Sequence, residues 1–161
     1  MQIRSFRSTD LSTLVDITIE VFGPFYEESF RAMVPPDVFT HQHGSWEDDY
    51  RRSVPQLHSP DQGRYVAVAE SDDGEILGYI AWNIDPDRHH GEIDTVAVLP
   101  GARGQGLGRA LCEHAMTHMR AGNVEVVELG TGGDAFHAPA RALYEALGFN
   151  LVPVAVYMRG L

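Results

Sequence analysis

The sequence predicts a mixed α/β fold: a single domain whose partly splayed central β-sheet carries helices on its faces. Three observations predict it. Apolar residues follow a helical period from Leu11 to Phe22, switch to period two between Arg64 and Val98, and then alternate strand with helix. Asp72-Asp73-Gly74 separates two strand-like runs and marks an antiparallel hairpin, whereas strand–helix–strand passages after Gly91 call for parallel pairing. The length, 161 residues, suits one core rather than two.

The elements follow in order. Gln2–Arg7 is a short strand. Thr9 or Asp10 caps a helix whose apolar positions Leu11, Leu14, Val15, Ile17 and Val21 share one face. Gly23-Pro24 is the expected stop. Phe25–Met33 and Trp46–Val54 look helical, with Pro35-Pro36 between them, and Pro55 and Pro60 mark a loop. Arg64–Glu70, Glu75–Ile84 and Gly91–Val98 read as strands. A helix is expected over Leu107–Ala121, broken by Gly122-Asn123, then a strand over Val124–Gly130. Ala138–Leu147 is helical, since Pro139 is tolerated in a first turn and Gly148 suits the C-cap. Phe149–Val152 and Val154–Arg159 read as closing strands.

Composition excludes several classes. The net charge of −11 repels nucleic acid and anionic lipid and attracts cations such as a protonated amine. No apolar run approaches the roughly 20 residues of a membrane span, and the N-terminus lacks the apolar stretch of a signal peptide. Cys112 is the only cysteine, so a disulfide framework is excluded. These features favour the cytoplasm. Every basic residue apart from histidine is arginine. His41 and His43 pair by spacing, as do His89 and His90, but they read as loop histidines, and no metal site is expected.

The chemistry concentrates in V-A-V-L-P-G-A-R-G-Q-G-L-G-R-A-L, from Val96 to Leu111. Glycines here let backbone N–H groups approach a ligand, and the start of a helix favours an anion. A P-loop needs lysine after its second glycine, and Leu107 follows Gly106. A dinucleotide fingerprint needs a third glycine where Arg109 stands. Arg103-Gly104-Gln105-Gly106-Leu107-Gly108 instead fits R/Q-x-x-G-x-G/A. Together with E-I-D-T-V-A-V-L-P before it and A-P-A-R-A-L-Y-E-A-L-G-F downstream, it resembles the GNAT superfamily of acetyl-CoA-dependent N-acetyltransferases. The resemblance extends from about Arg64 to the C-terminus and covers the first 60 residues only in outline.

The resemblance implies one N-acetyltransferase domain over residues 1–161, with acetyl-CoA as co-substrate. The amides of Gly104, Gln105, Gly106, Leu107 and Gly108 would grip the coenzyme's pyrophosphate, with Arg103 and Arg109 adding positive charge. Val96, Ala97 and Val98 would offer backbone groups to the pantetheine arm, and the Val98 N–H would meet the developing oxyanion. The strand over Val124–Gly130 would splay away to leave the slot. Glu92 stands where many members place a catalytic base, and Asp94, on the same strand face if no bulge intervenes, would help bind and deprotonate the amine. Tyr144 would donate to the sulfur. His137 replaces the family's usual Asn; it could bond the pantetheine arm or belong to the acceptor pocket. Cys112 reads as core.

The acceptor is expected among the early helices, their connection and the last strands. Phe22, Phe25, Tyr26 and Glu28 combine aromatic faces with a carboxylate and suit an organic cation. A small cationic metabolite or antibiotic is the expected acceptor, a protein N-terminus or lysine the alternative, and a non-catalytic acyl-CoA sensor the reading from another class. The closing strands could build a homodimer.

Overall fold

The computed structural model describes all residues, Met1–Leu161. Five strands form one sheet in the order β1-β2-β3-β4-β5. They are β1 Gln2–Ser5, β2 Arg64–Glu70, β3 Ile76–Asp85, β4 His90–Val98 and β5 Val126–Leu129. The first four pair antiparallel and β5 joins β4 in parallel, so the sheet is mixed as the sequence predicts. No helix is long and apolar enough to cross a membrane.

Period-two alternation divides the core between two faces. Val66 and Val68 of β2 and Tyr79 and Ala81 of β3 meet helix α1, Leu11–Pro24, through Leu14, Ile17 and Val21. Their neighbours Ala67, Ala69, Ile80 and Trp82 meet helix α4, Leu107–Ala121, through Leu111, Cys112, Ala115 and Met119. The hairpin between β2 and β3 turns at Gly74, whose φ of 87° is the left-handed conformation the turn needs.

Helix α1 does not stop at Gly23-Pro24. Pro24 cannot donate to the carbonyl a turn back, and the chain widens into a π turn over Phe25–Phe30 before resuming helix over Arg31–Met33. The Arg31 N–H reaches back five residues to the Tyr26 carbonyl. Gly23 is there for space: a Cβ would sit 3.2 Å from the Trp46 ring. A helix the sequence did not announce, α2 Pro36–His43, starts on Pro36, which needs no N–H partner at that position. It carries His41 and His43, so these are not loop residues. His90 likewise opens β4, while His89 does lie in the turn before it. Helix α3, Trp46–Ser53, then leads toward β2.

Asp10 caps α1 by position only. Its carboxylate accepts from Arg4 Nη1 and Nη2 at 2.8 and 3.1 Å and from the Arg7 N–H at 2.7 Å. The last helix, α5, spans Ala138–Ala146. The two closing strands do not form: residues 149–161 have no regular structure, and Leu151, Val152, Val154, Val156 and Tyr157 are exposed. β-Branched sequence gives strand preference, but a strand needs a partner edge, and no pairing reaches this segment. The last strands therefore do not extend the sheet, although Gly160 lies against the Asp37 side chain of α2.

Candidate active site

Four residues of β4 pair with β5, from His90↔Val126 to Ile93↔Leu129. Beyond Ile93, β4 keeps β3 on one side and has no strand on the other. A slot opens there. A bulge sits at its inner end: Ala81 pairs with Thr95 and Trp82 with Ile93, leaving Asp94 unpaired. The bulge falls at Asp94 itself, beyond Glu92 and Ile93, so Glu92 and Asp94 keep a shared face and Thr95 is turned onto that face with them.

The glycine loop borders the mouth of this slot. Gly104 and Gly106 have φ of 76° and 78°, and Gly106 stands directly before α4 with no side-chain cap. No backbone N–H from Gly104 through Arg109 donates to another backbone group. That row of free donors at a helix start fits a diphosphate. Leu107 is buried and anchors the turn, and Gly108 lets the Leu143 side chain of α5 approach. The arginines are less free than the sequence suggests. Arg103 Nε donates to the Val98 carbonyl at 3.1 Å, and Arg109 Nη2 donates to the Ala146 carbonyl at 3.3 Å, tying α4 to the end of α5. Gln105 Nε2 reaches only the Gly101 carbonyl, at 3.5 Å. Along the slot, Val96 and Val98 pack toward α4, whereas Ala97 is fully buried toward α1.

The acids lie on the α1 face. Glu92 is half-buried and accepts from Asn83 Nδ2 at 3.1 Å; Asp94 is exposed and accepts from Thr95 Oγ1 at 2.7 Å. Asp94 and Thr95 join Thr18, Tyr50, Tyr79 and Asn83 in lining a cavity of about 260 Å³ between the sheet and the helices. Burial pushes the Tyr50 and Tyr79 phenols well above their ordinary range, so both are hydroxyl donors. Tyr79 is fully buried and bonds Thr18 Oγ1 at 2.6 Å. Tyr50, Tyr79 and Asn83 were not expected from the sequence: they come from two elements far apart in the chain, α3 and β3, and carry no local motif.

Tyr144 lies on α5, its ring 6.1 Å from Phe149. Burial first, and then Cys112, pushes its hydroxyl up to about 12. That hydroxyl has no protein partner and is not sealed off. Cys112 is buried in the core, as expected, with its thiol pushed up to about 11 by burial.

Phe22, Phe25 and Tyr26 do come together, but largely against other rings. Phe22 stacks on Tyr50, and Tyr26 stacks on Trp46 at 5.0 Å with planes 9° apart. Tyr26 also bonds the Tyr50 hydroxyl at 3.1 Å. Glu28 is exposed and not part of the cluster; its neighbour Glu27 accepts from Trp46 Nε1 at 2.9 Å and from Arg31. His137 stands at the N-cap of α5 with its ring 4.7 Å from Phe25. Its Nδ1 is 2.7 Å from Asp134 Oδ2, a partner that the D-x-x-H spacing could have signalled. No three His, Cys, Asp or Glu side chains converge as a metal site would require.

The model of the acetyltransferase (GNAT) family matches residues 24–149. The chain belongs to this family. A mycothiol acetyltransferase from Beutenbergia cavernae is 47% identical over 90 residues, 56% of this chain and 29% of that protein. Another, from Thermomonospora curvata, is 33% identical over 144 residues, 87% of this chain and 46% of that protein. The chain thus spans half or less of the length of these relatives. Among solved structures, an N-acetyltransferase from Thermoplasma acidophilum in complex with coenzyme A has a TM-score of 0.68 at 16% identity, covering 96% of this chain and 92% of that one. The BH1408 protein of Bacillus halodurans, in a mutant form, has a TM-score of 0.73 at 20% identity with both chains fully covered. At such identities the likeness is one of fold. The family carries the enzyme class, an acetyltransferase.

Proposed function

We propose that this chain is a cytoplasmic N-acetyltransferase that moves the acetyl group of acetyl-CoA to the primary amine of a small molecule. The row of unpartnered N–H groups from Gly104 to Arg109, beside the parted β4 and β5, carries the reading. These amides hold the diphosphate, and Val96, Ala97 and Val98 line the arm. Glu92, steadied by Asn83, is the base, and Asp94 supplies charge that draws the ammonium into the cavity. Tyr144 donates its free hydroxyl to the departing sulfur. The 260 Å³ cavity supports a small acceptor over a protein chain. Among small acceptors, the name shared by the curated relatives puts that of the mycothiol acetyltransferases first. A second copy pairing along the exposed apolar run Leu151–Tyr157 belongs to the same proposal.

Coenzyme A release from acetyl-CoA, measured over a panel of small amines and peptides that includes the acceptor of the mycothiol acetyltransferases, tests the reading. Turnover on a small amine, abolished in the E92Q variant, is expected. Turnover on peptides alone would overturn the small-molecule acceptor, and no turnover on any amine would overturn the transferase itself.

A further inference from the structure

The cavity bordered by Asp94 and Thr95 is also lined by a cation. Arg64, the first residue of β2, joins Asp94, Thr95 and Asn83 in its wall. Arg64 stands two residues before Val66 and so shares the α1 face. Its backbone is fixed: the N–H donates to the Ser59 carbonyl at 3.1 Å, and the carbonyl accepts from the Ser59 N–H at 3.0 Å. Strand register places it further. Arg64 pairs with Asn83 across β2 and β3, and Asn83 pairs with Glu92 across β3 and β4. Arginine, amide and acid thus form one row across the sheet, and the amide already donates to the acid.

The Arg64 guanidinium is under-used. An arginine side chain has five N–H donors, and this one has a single protein partner, the Gln62 side-chain carbonyl, which accepts from Nη2. Nε is buried without any partner. Nη1 has none either, and it is not among the buried polar atoms left unpaired, so it opens to accessible space. The charge also lacks a counter-ion. Arg4, Arg31, Arg51, Arg52 and Arg109 each pair with a carboxylate, whereas half-buried Arg64 does not, in a chain of net charge −11. A half-buried cation with idle donors is costly unless a ligand satisfies it. A carboxylate does so most completely, because it meets two guanidinium N–H groups at once.

We propose that Arg64 binds a carboxylate of the acceptor, which is therefore an amino acid or a small amino-acid derivative with that carboxylate free. This rests on the reading above, in which Glu92 and Asp94 receive the amine. The acceptor lies across the sheet row, amine toward Glu92 and Asp94 and carboxylate toward Arg64. Neighbouring strands are about 4.8 Å apart, so two spacings put the Arg64 and Glu92 backbones about 10 Å apart. A hydrogen bond of about 2.9 Å at each end leaves about 4 Å between amine and carboxylate. That span suits an α- or β-amino acid and not the two ends of a long chain. Arg64 makes and breaks no covalent bond. It turns the amine toward the acids and the slot, while Asp94 repels a carboxylate that enters the wrong way round.

Two measurements test the assignment. The first needs no turnover. The Arg64 Nε–Hε resonance, assigned from its absence in R64Q, is followed by NMR as α-amino acids or β-alanine are added, with and without coenzyme A. Each is compared with the amine that lacks its carboxylate, such as methylamine for glycine and ethylamine for β-alanine. The resonance should move with the amino acids and stay with the amines. No movement with any amino acid, or equal movement with both members of each pair, overturns the proposal. The second measurement is coenzyme A release on the same pairs. R64Q should lower the preference in kcat/KM for an amino acid over its matched amine by about tenfold or more, through KM rather than kcat. R64K, which keeps the charge but not the fork, should recover part of it. An unaltered preference in an R64Q variant that thermal melts show to be folded overturns the proposal. So does a wild-type preference for the acceptor of the mycothiol acetyltransferases with a KM that R64Q leaves unmoved. Absence of wild-type turnover on every amine would instead fail the transferase reading and leave the resonance to decide what Arg64 binds.

Discussion

Replacing Tyr144 with Phe separates two jobs a phenol can do beside sulfur. The hydroxyl has no protein partner, so its removal breaks no hydrogen bond within the fold, and the contact of the ring with Phe149 remains. Stability should change by no more than about 0.5 kcal/mol. The catalytic effect follows from proton affinities. The hydroxyl is pushed up to about 12, whereas an ordinary thiol titrates near about 8.5. Full proton transfer from Tyr144 to a thiolate is therefore uphill by about 3.5 units, or about 5 kcal/mol. The energetically accessible job is a hydrogen bond to the developing charge, worth about 1.5–3 kcal/mol. Y144F should then lower kcat by roughly 10- to 150-fold, with KM for acetyl-CoA little changed. The assay is coenzyme A release at saturating amine between pH 7 and 8. An unchanged kcat would remove Tyr144 from the reaction. A loss of about 10⁴-fold or more would mean that the proton is transferred in full, and the argument from the raised phenol would be wrong.

Two further outcomes are expected. Asp10 is almost fully buried against Arg4, whose hydrogen bond, more than any other influence, holds the carboxyl below its ordinary range. A depressed carboxyl contributes stability above its unfolded pKa and loses it as pH falls through the folded value. D10A should cost about 3 kcal/mol at pH 7 in urea melts, and the gap to wild type should narrow on acidification; a gap independent of pH would contradict the ion-pair account. In the core, Thr18 Oγ1 donates to the Leu14 carbonyl and so receives the Tyr79 hydroxyl. T18V should cost about 2 kcal/mol by orphaning that hydroxyl, Y79F about 1, and the double variant about 1 less than their sum; strict additivity would show that the bond contributes nothing.

Local signals were legible and long-range ones were not. Arg64–Glu70 and Leu107–Ala121 stand where period and punctuation place them, because a strand's alternation and a helix start after Gly106 are written within a few residues. The stop at Pro24 failed because one missing N–H is cheap when a π turn absorbs it and Trp46 packs over Gly23. The closing strands failed because pairing belongs to the edge that receives a strand, not to the residues that prefer one. The glycine loop was readable in the same local way, since two positive φ angles at a helix start demand glycine. The cavity was not: Thr18, Tyr50, Tyr79 and Asn83 meet only once α1, α3 and β3 have packed. Asp134 lies between these cases, close in sequence to His137 but meaningful only when the loop has turned it inward.

One residue in β4 links the fold to the chemistry. In an unbroken strand, Glu92, Asp94, Val96 and Val98 would share one face, while Ile93, Thr95 and Ala97 took the other. The bulge at Asp94 resets the alternation. Ile93, Val96 and Val98 therefore all pack toward α4, where burying two valines rather than exposing them is worth roughly 3 kcal/mol or more. Glu92, Asp94 and Thr95 are left on the α1 face, with Asp94 and Thr95 opening into the cavity. Pairing with β5 also ends at Ile93, so the residue that turns the valines inward stands where the slot begins. The hydrophobic gain thus holds a locally unpaired backbone in place, and the acids come to lie beside the parted strands instead of being buried under them.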